Sequence, residues 1–308
     1  MKIVMLGLSN AGKTTYIAMM YELMRKGYGG FKIRATEPDR DRELLSAARS
    51  IRQGTYPPPS SRRDAHVFRL SHRRRAVADF TWTDYRGGAL TDRARDEETA
   101  QVLAEISGAD GLVVFVDAHN LATTAGSGRR AVRRLTVLLQ RAVDERPGKV
   151  PVVVAYTKAD LVAGDQEWAR ATAPLADLQQ ALATSHRVLD TTVAVSCGAD
   201  PAGVHVPVLW CLAQHLSARV TDLERELAAS RSLMAGAKER SGVWNSLTST
   251  IKGEESEWQK YLRYEQGAKE EAKELKPLRA PARRLLVALE RAQADHAPPT
   301  GQLAQEGR

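Results

Sequence analysis

The sequence predicts an α/β domain with a mostly parallel sheet flanked by helices, followed by an α-helical extension. Three observations carry this. The runs "GLVVFVD" (Gly111–Asp117) and "VPVVVAYT" (Val150–Thr157) are continuously apolar, the pattern of strands buried on both faces of a parallel sheet. Stretches with helical spacing separate the strand patterns, so strand and helix alternate. From Val208 onward the strand patterns stop and only helical stripes continue.

Taken in order, residues 2–6 read as a short buried strand. Residues 14–26 read as a helix, because Ile17, Met20, Leu23 and Met24 recur at helical spacing and Gly27 follows as a stop. Residues 41–52 form a further helix, with Leu44, Leu45, Ala48 and Ile51 on one side. "GTYPPPSSRRD" is a loop, since three successive prolines forbid both helix and central strand. Val67–Leu70 and Ala76–Trp82 read as two strands joined by a turn near His72–Arg75, an antiparallel hairpin at or near a sheet edge. Helices are expected near 92–107, 128–146 and 173–185, and "TTVAVS" (Thr191–Ser196) is a further strand.

Leu209, Leu212, Leu216, Val220, Leu223, Leu227 and Met234 then follow a rough heptad, punctuated by Gly236 and Gly242. Trp244, Leu247, Ile251, Trp258 and Tyr261 begin a second stripe, which Pro277 and Pro281 are expected to end. Leu285, Leu286 and Leu289 suggest a short third helix. Trp244, Trp258, Tyr261 and Tyr264 are read first as core and second as a partner surface. The expected division is a nucleotide domain over 1–216, a helical hairpin or small bundle over 217–296 and a frayed tail over 297–308.

Composition sets outer limits. The chain has 308 residues, 43% hydrophobic and 27% charged, enough to build a real core and too apolar for a disordered protein. No apolar run approaches the roughly 20 residues that span a bilayer. The first residues read as a strand rather than a signal peptide, and two cysteines, Cys197 and Cys211, suit a reducing compartment; a cytoplasmic protein is expected. The net charge is +8. Residues 217–308 carry 16 Lys/Arg against 14 Asp/Glu, so most of the excess belongs to the first 216 residues.

"GLSNAGKT" (Gly7–Thr14) matches G-x-x-x-x-G-K-[ST] between a strand and a helix, as a phosphate-holding loop requires. Gly7 and Gly12 let the backbone bend. Successive N–H groups of Ser9, Asn10, Ala11, Gly12, Lys13, Thr14 and Thr15 then line an anion-binding concavity at the helix's positive end. Lys13 places a compact charge on the outer phosphates, and Thr14 offers a hydroxyl to Mg²⁺. "DYRG" (Asp84–Gly87) follows the hairpin strand: the Asp84 carboxylate is placed to hold Mg²⁺ through water, and Gly87 to offer its N–H to a γ-phosphate. "TKAD" (Thr157–Asp160) ends an apolar strand. Guanine presents two adjacent donors, which one carboxylate accepts together and adenine lacks; Asp160 is therefore the proposed base reader, with the Lys158 stem along the ring. Charge-assisted bonds contribute roughly 1.5–3 kcal/mol each, so two of them discriminate by orders of magnitude.

Phosphate loop, D-x-x-G and [NT]-K-x-D, in that order and at strand ends, resemble the Ras-like (TRAFAC-class) branch of P-loop GTPases. The resemblance covers about residues 1–216 and, more loosely, the Thr-type base motif resembles bacterial conflict- or signalling-associated GTPase domains. It implies GTP/GDP and Mg²⁺ as ligands. It also implies that "SCG" (Ser196, Cys197, Gly198) supports the base with a backbone N–H, and that a hydroxyl before the second strand joins Mg²⁺ in the GTP state. Ser60 and Ser61 fit that role best, with Thr55 the third choice.

Two departures stand out. The interval between Lys13 and Asp84 is long, so the first switch region is expected to be an elaborated, partner-facing segment. Where the family has a Gln after D-x-x-G to orient the attacking water, this chain has Gly88. Slow hydrolysis follows, unless Arg86 or an arginine from a partner stabilises developing charge; Arg62, Arg63 and Arg86 are otherwise surface charges. The catalytic candidates are Lys13, Gly87 and Arg86.

The cluster "SHRRR" (Ser71–Arg75) is read first as a solvated hairpin tip, then as a weak contact to membrane phosphates or an acidic partner. It lacks the interleaved aromatics of nucleic-acid readers. The expected function is a GTP-binding switch read out by a protein effector, with possible pairing of two copies through the helices. The alternative is a GTP/GDP-holding scaffold without turnover, which Gly88 favours; a mechanical ATPase is disfavoured by "TKAD".

Overall fold

The computed structural model describes residues 1–7, 10–58, 64–84, 96–124, 129–144, 146, 148–240 and 257–296. They form two compact units, one of residues 1–215 with the segment from Leu285, the other of Leu216–Arg284.

In the first unit the chain runs β1 (Lys2–Gly7), α1 (Lys13–Lys26), β2 (Phe31–Ala35), α2 (Pro38–Arg52), β3 (Asp64–His72) and β4 (Arg75–Asp84). It continues with α3 (Asp96–Ser107), β5 (Gly111–Asp117), α4 (Ala118–Thr123), α5 (Arg129–Asp144) and β6 (Val150–Thr157). It then adds α6 (Gly164–Thr172), α7 (Ala176–Thr184) and β7 (Val188–Val195). The sheet order is β2-β3-β4-β1-β5-β6-β7. From β4 to β7 every neighbour pairs in parallel; only β3 runs against the rest. The expected hairpin is therefore β3–β4, with β2 outside it as the edge. β2 went unread in the sequence because five residues alternating buried and exposed, "FKIRA", give little pattern.

The continuous apolar runs are continuously buried: all eight residues of β6 and six of seven in β5. Alternation along each strand feeds two cores. Val4, Leu6, Leu112, Val114, Val152 and Val154 face Val102, Ile106, Leu135, Leu139, Val143, Leu178 and Leu182 of α3, α5 and α7. On the other face, Tyr16 of α1 packs on Trp82 (ring centroids 5.8 Å apart) and Phe115 (4.8 Å), and Tyr21 on Phe68 (5.6 Å).

Two long helices follow, α8 (Val206–Arg240) and α9 (Glu257–His296). The second corrects the sequence reading: Pro277 and Pro281 do not end a helix but lie inside one, and Leu285–Leu289 are its continuation rather than a third helix. Each proline removes one N–H from the helical ladder. Spaced four apart, they fall on one face of the helix, so both missing bonds are confined to one side. In the second unit the seam is filled by Leu223, Leu227 and Leu275 and flanked by Arg219–Glu274 and Arg279–Glu224 ion pairs. A two-helix seam encloses few side chains. Trp258 is accordingly 53% exposed, stacked on Tyr261 at 5.1 Å, rather than core as first read. Trp244, Leu247, Ile251 and Gly242 lie outside the described residues.

Candidate functional site

In a parallel sheet, a crevice opens outside the carboxyl ends of the strands where the order reverses. That point is β1, flanked by β4 and β5. The ends of β1, β4, β5, β6 and β7 therefore bring together Gly7, Asp84, Asp117, Thr157 and Ser196, which are up to 189 positions apart in sequence.

β1 leaves the sheet at Gly7. A Cβ there would stand 2.6 Å from the Phe115 carbonyl oxygen of β5, so only glycine lets the two strands approach. Asn10 and Gly12 hold left-handed backbone (φ 65° and 79°), turning the chain into α1, whose first bond runs from Tyr16 N–H to the Gly12 carbonyl at 2.8 Å. Lys13 is buried, and its ammonium donates to the Gly7 carbonyl at 3.0 Å. Burial lowers its pKa, against the opposing pull of the Asp84 carboxylate.

Asp84 ends β4, pairing in register with Met5 of β1 and Asp64 of β3. Burial pushes its carboxyl up to about 6, which Lys13 and a hydrogen bond with the Thr14 side chain counteract. Its Oδ1 is buried and has no hydrogen-bond partner among the described residues. A carboxylate oxygen left open in this way beside the Thr14 hydroxyl is a hard-oxygen donor set that suits Mg²⁺, which keeps most of its waters and takes few protein ligands.

The base-side residues are tied to the phosphate loop directly. The Thr157 hydroxyl, at the end of β6, shares its hydrogen between the carbonyls of Ala11 and Val116, each at 3.0 Å. Lys158 adopts left-handed backbone (φ 55°), and its ammonium is paired with Asp117 at the end of β5. Asp117 also caps α4 by accepting from the Asn120 N–H at 2.9 Å. Ser196 and Ala202 exchange backbone bonds at 3.0 and 3.1 Å, closing a tight loop that carries Cys197 and Gly198. A Cβ on Gly198 would lie 3.8 Å from Asp160 Oδ2 and 3.6 Å from the Tyr56 hydroxyl, so Asp160 and this loop face one another. The Cys197 thiol is raised to about 12 by burial and by the Asp160 carboxylate, which keeps it protonated and chemically quiet.

The structure thus gathers Asn10, Ala11, Gly12, Lys13, Thr14, Thr15, Asp84, Thr157, Lys158, Asp160, Ser196, Cys197 and Gly198 at the carboxyl ends of the parallel strands. Ser9, Ser60, Ser61, Arg62, Arg63, Arg86, Gly87 and Gly88 lie outside the described residues. Sequence reading missed Asp117, whose signal was a strand-end carboxylate three residues before an asparagine. It also missed Arg52 and Tyr56: Arg52 bridges Glu22 Oε2 (2.8 Å) and the Ala199 carbonyl (2.9 Å), pinning the end of α2 to the base loop.

Among known proteins, the model of the Double-GTPase 2 family matches residues 2–199. No curated protein matches the chain. Among solved structures, similarity extends to the Arl6 (BBS3) small GTPase of Trypanosoma brucei with a bound nucleotide analogue, at 19% identity and TM-score 0.43, covering 70% of this chain and 96% of that one. The signal recognition particle receptor SRb-GTP/SRX complex of Chaetomium thermophilum matches at 15% identity and TM-score 0.38 over 65% and 91% of the two chains. The Ski7 GTPase-like domain of S. cerevisiae matches at 13% identity and TM-score 0.41 over 64% and 42%.

Proposed function

The chain belongs to the Double-GTPase 2 family, and on that premise we propose that it is a GTP-binding molecular switch that hydrolyses GTP slowly to GDP and phosphate. The observation that carries the reading is the Thr157 hydroxyl, which bonds the base-reading strand to the Ala11 carbonyl of the phosphate loop. Base and phosphates are thereby held by one rigid unit.

In the proposed mechanism the loop amides and Lys13 bind the β- and γ-phosphates, and Asp160 accepts the two guanine donors. Mg²⁺ held through Thr14 and Asp84 supplies charge neutralisation on the phosphates when bound. Water attacks the γ-phosphorus, a P–O bond to water forms, and the bond to the β-phosphate oxygen breaks in line. Gly88 offers no side chain to orient that water, so the intrinsic rate without a partner is expected at or below the low end for such proteins, on the order of 10⁻⁴ per second or less. Arg86, or an arginine from a protein partner, is the proposed source of the missing charge stabilisation. A partner reads the nucleotide state through the segment between α2 and β3. Two free thiols, Cys197 and Cys211, fit a cytoplasmic setting.

Two measurements test this. Calorimetry with GDP, IDP and ADP separates the base contacts: IDP lacks the exocyclic amine, and loss of one charge-assisted bond weakens binding by roughly 10- to 150-fold. Asp160→Ala should abolish the preference; equal binding of GDP and ADP to the unaltered protein would overturn the reading. Single-turnover hydrolysis then tests the switch. A rate near one per second without partners contradicts the role given to Gly88, and no turnover even with added cell extract leaves the non-hydrolysing scaffold in its place.

A further inference from the structure

Four non-glycine residues hold positive φ among the described residues. Two of them, Asn10 and Lys158, belong to the nucleotide site. The other two are adjacent: Arg73 (φ 48°) and Arg74 (φ 69°). They form the two-residue turn of the β3–β4 hairpin, closed by the His72–Arg75 pair. Positive φ at both central positions is the turn for which Asn-Gly is strongly preferred, and the approach of Cβ to the following carbonyl oxygen makes it costly for arginine. Strain of this kind persists only where the surrounding structure holds it in place, and it clusters at functional sites.

The side chains make the case specific. Arg73, Arg74 and Arg75 are all exposed, and none forms an ion pair among the described residues. Several other arginines of this unit are paired. Arg69, on the same hairpin, is bidentate on Asp79 at 2.7 and 2.8 Å, and Arg25 and Arg40 are paired with Asp41 and Asp64. The turn is also fixed in place. Arg73 N–H donates to the Gly30 carbonyl at 3.2 Å, and buried His72 packs on Phe31 with ring centroids 4.6 Å apart. β4 runs ten residues from Arg75 to Asp84, so the tip stands about 30 Å from the nucleotide site and serves something else.

We propose that the Arg73–Arg74–Arg75 tip is a docking point for an acidic segment of a partner protein, one that presents two or three adjacent carboxylates. The guanidinium fork matches a carboxylate bidentately, and a pre-fixed turn loses little freedom on binding. A lipid surface fits less well: a basic residue near an anionic membrane strengthens attachment about fivefold, so three give on the order of a hundredfold, short of stable anchoring. A nucleic acid fits less well too, because Phe31 and Phe68 are fully buried and the half-buried Tyr28 already packs on His205, with ring centroids 4.2 Å apart.

The test uses the full chain and a synthetic peptide of eight consecutive Glu/Asp residues, with vesicles containing phosphatidylserine and a 20-nucleotide single strand as the other arms. The double variant Arg73→Asn/Arg74→Gly installs the preferred turn. It should raise the melting temperature by about 2–4 °C while weakening peptide binding tenfold or more. Arg75→Gln, outside the strained pair, should weaken binding severalfold and leave the melting temperature unchanged. Peptide binding should also fall as salt rises. Tighter binding to vesicles or to the strand than to the peptide would overturn the proposal. So would peptide binding indifferent to these substitutions, or a double variant less stable than the natural protein.

Discussion

At the level of single residues, Thr157 is the side chain on which the site most depends. Its hydroxyl is buried and reaches two carbonyls that belong to different segments, Ala11 in the phosphate loop and Val116 on β5. Valine has the same shape and no donor. Thr157→Val should therefore leave packing intact and strip both buried carbonyls of that hydrogen. The expected cost is about 1–3 kcal/mol, read as a lower urea midpoint with an unchanged slope. Because Ala11 belongs to the loop that holds phosphates, GDP should also dissociate roughly tenfold faster, the kinetic equivalent of about 1.4 kcal/mol. A variant with normal stability and normal release would mean that the two halves of the site are not mechanically joined through this residue. The sequence motif marked Thr157 as part of base recognition; the contact to Ala11 was invisible there, because nothing in a strand-end threonine says which distant carbonyl it will meet.

At the level of elements, the loop carrying Cys197 and Gly198 is set by the backbone around it. Gly203 has φ 68°, and a Cβ there would fall 2.1 Å from the Ala194 carbonyl oxygen of β7. Backbone against backbone cannot give way as a flexible side chain does. Gly203→Ala should cost on the order of 3 kcal/mol and, by displacing the Ser196–Ala202 bridge, weaken guanine binding more than phosphate-dependent binding. Comparing GDP with inorganic pyrophosphate measures that difference; equal loss for both would assign Gly203 to general stability alone. The legibility of elements follows the same logic. β5 and β6 were readable because burial on both faces forces an unbroken apolar run. β2, α4 and α6 were not: they are five, six and nine residues long, too short for a burial pattern to repeat. The prolines of α9 misled for a physical reason, since a rule about lost hydrogen bonds says nothing of what the rest of a 40-residue helix can hold in place.

At the level of the whole molecule, the expected separation into a nucleotide domain and a C-terminal extension meets a chain whose last described helix returns to the sheet unit. Leu285, Ala288, Leu289 and Ala292 recur at helical spacing, and all are 4% exposed or less. The Ala288 Cβ is 2.6 Å from where a Cβ on Gly29 would sit, and Gln293 donates to the Thr191 hydroxyl of β7 at 2.9 Å. Sequence alone saw Leu285 and Leu289 as an isolated stripe, because the surfaces that bury them, near residues 29 and 191, are far away along the chain. Their burial makes this segment part of the sheet unit's core. Leu289→Ala should then cost about 2–5 kcal/mol, read as a fall of roughly 5–15 °C in melting temperature. Leu262, 45% exposed on the same helix, is the matched control: Leu262→Ala removes the same atoms from a site already in water and should change stability by no more than about 0.5 kcal/mol. Gly29→Ala tests the contact from the other side, since its new methyl would push against Ala288, and should lower stability in the same direction. Were Leu289→Ala to melt with the natural protein, the C-terminal end of the helix would be an attachment to the sheet unit and not a component of its core.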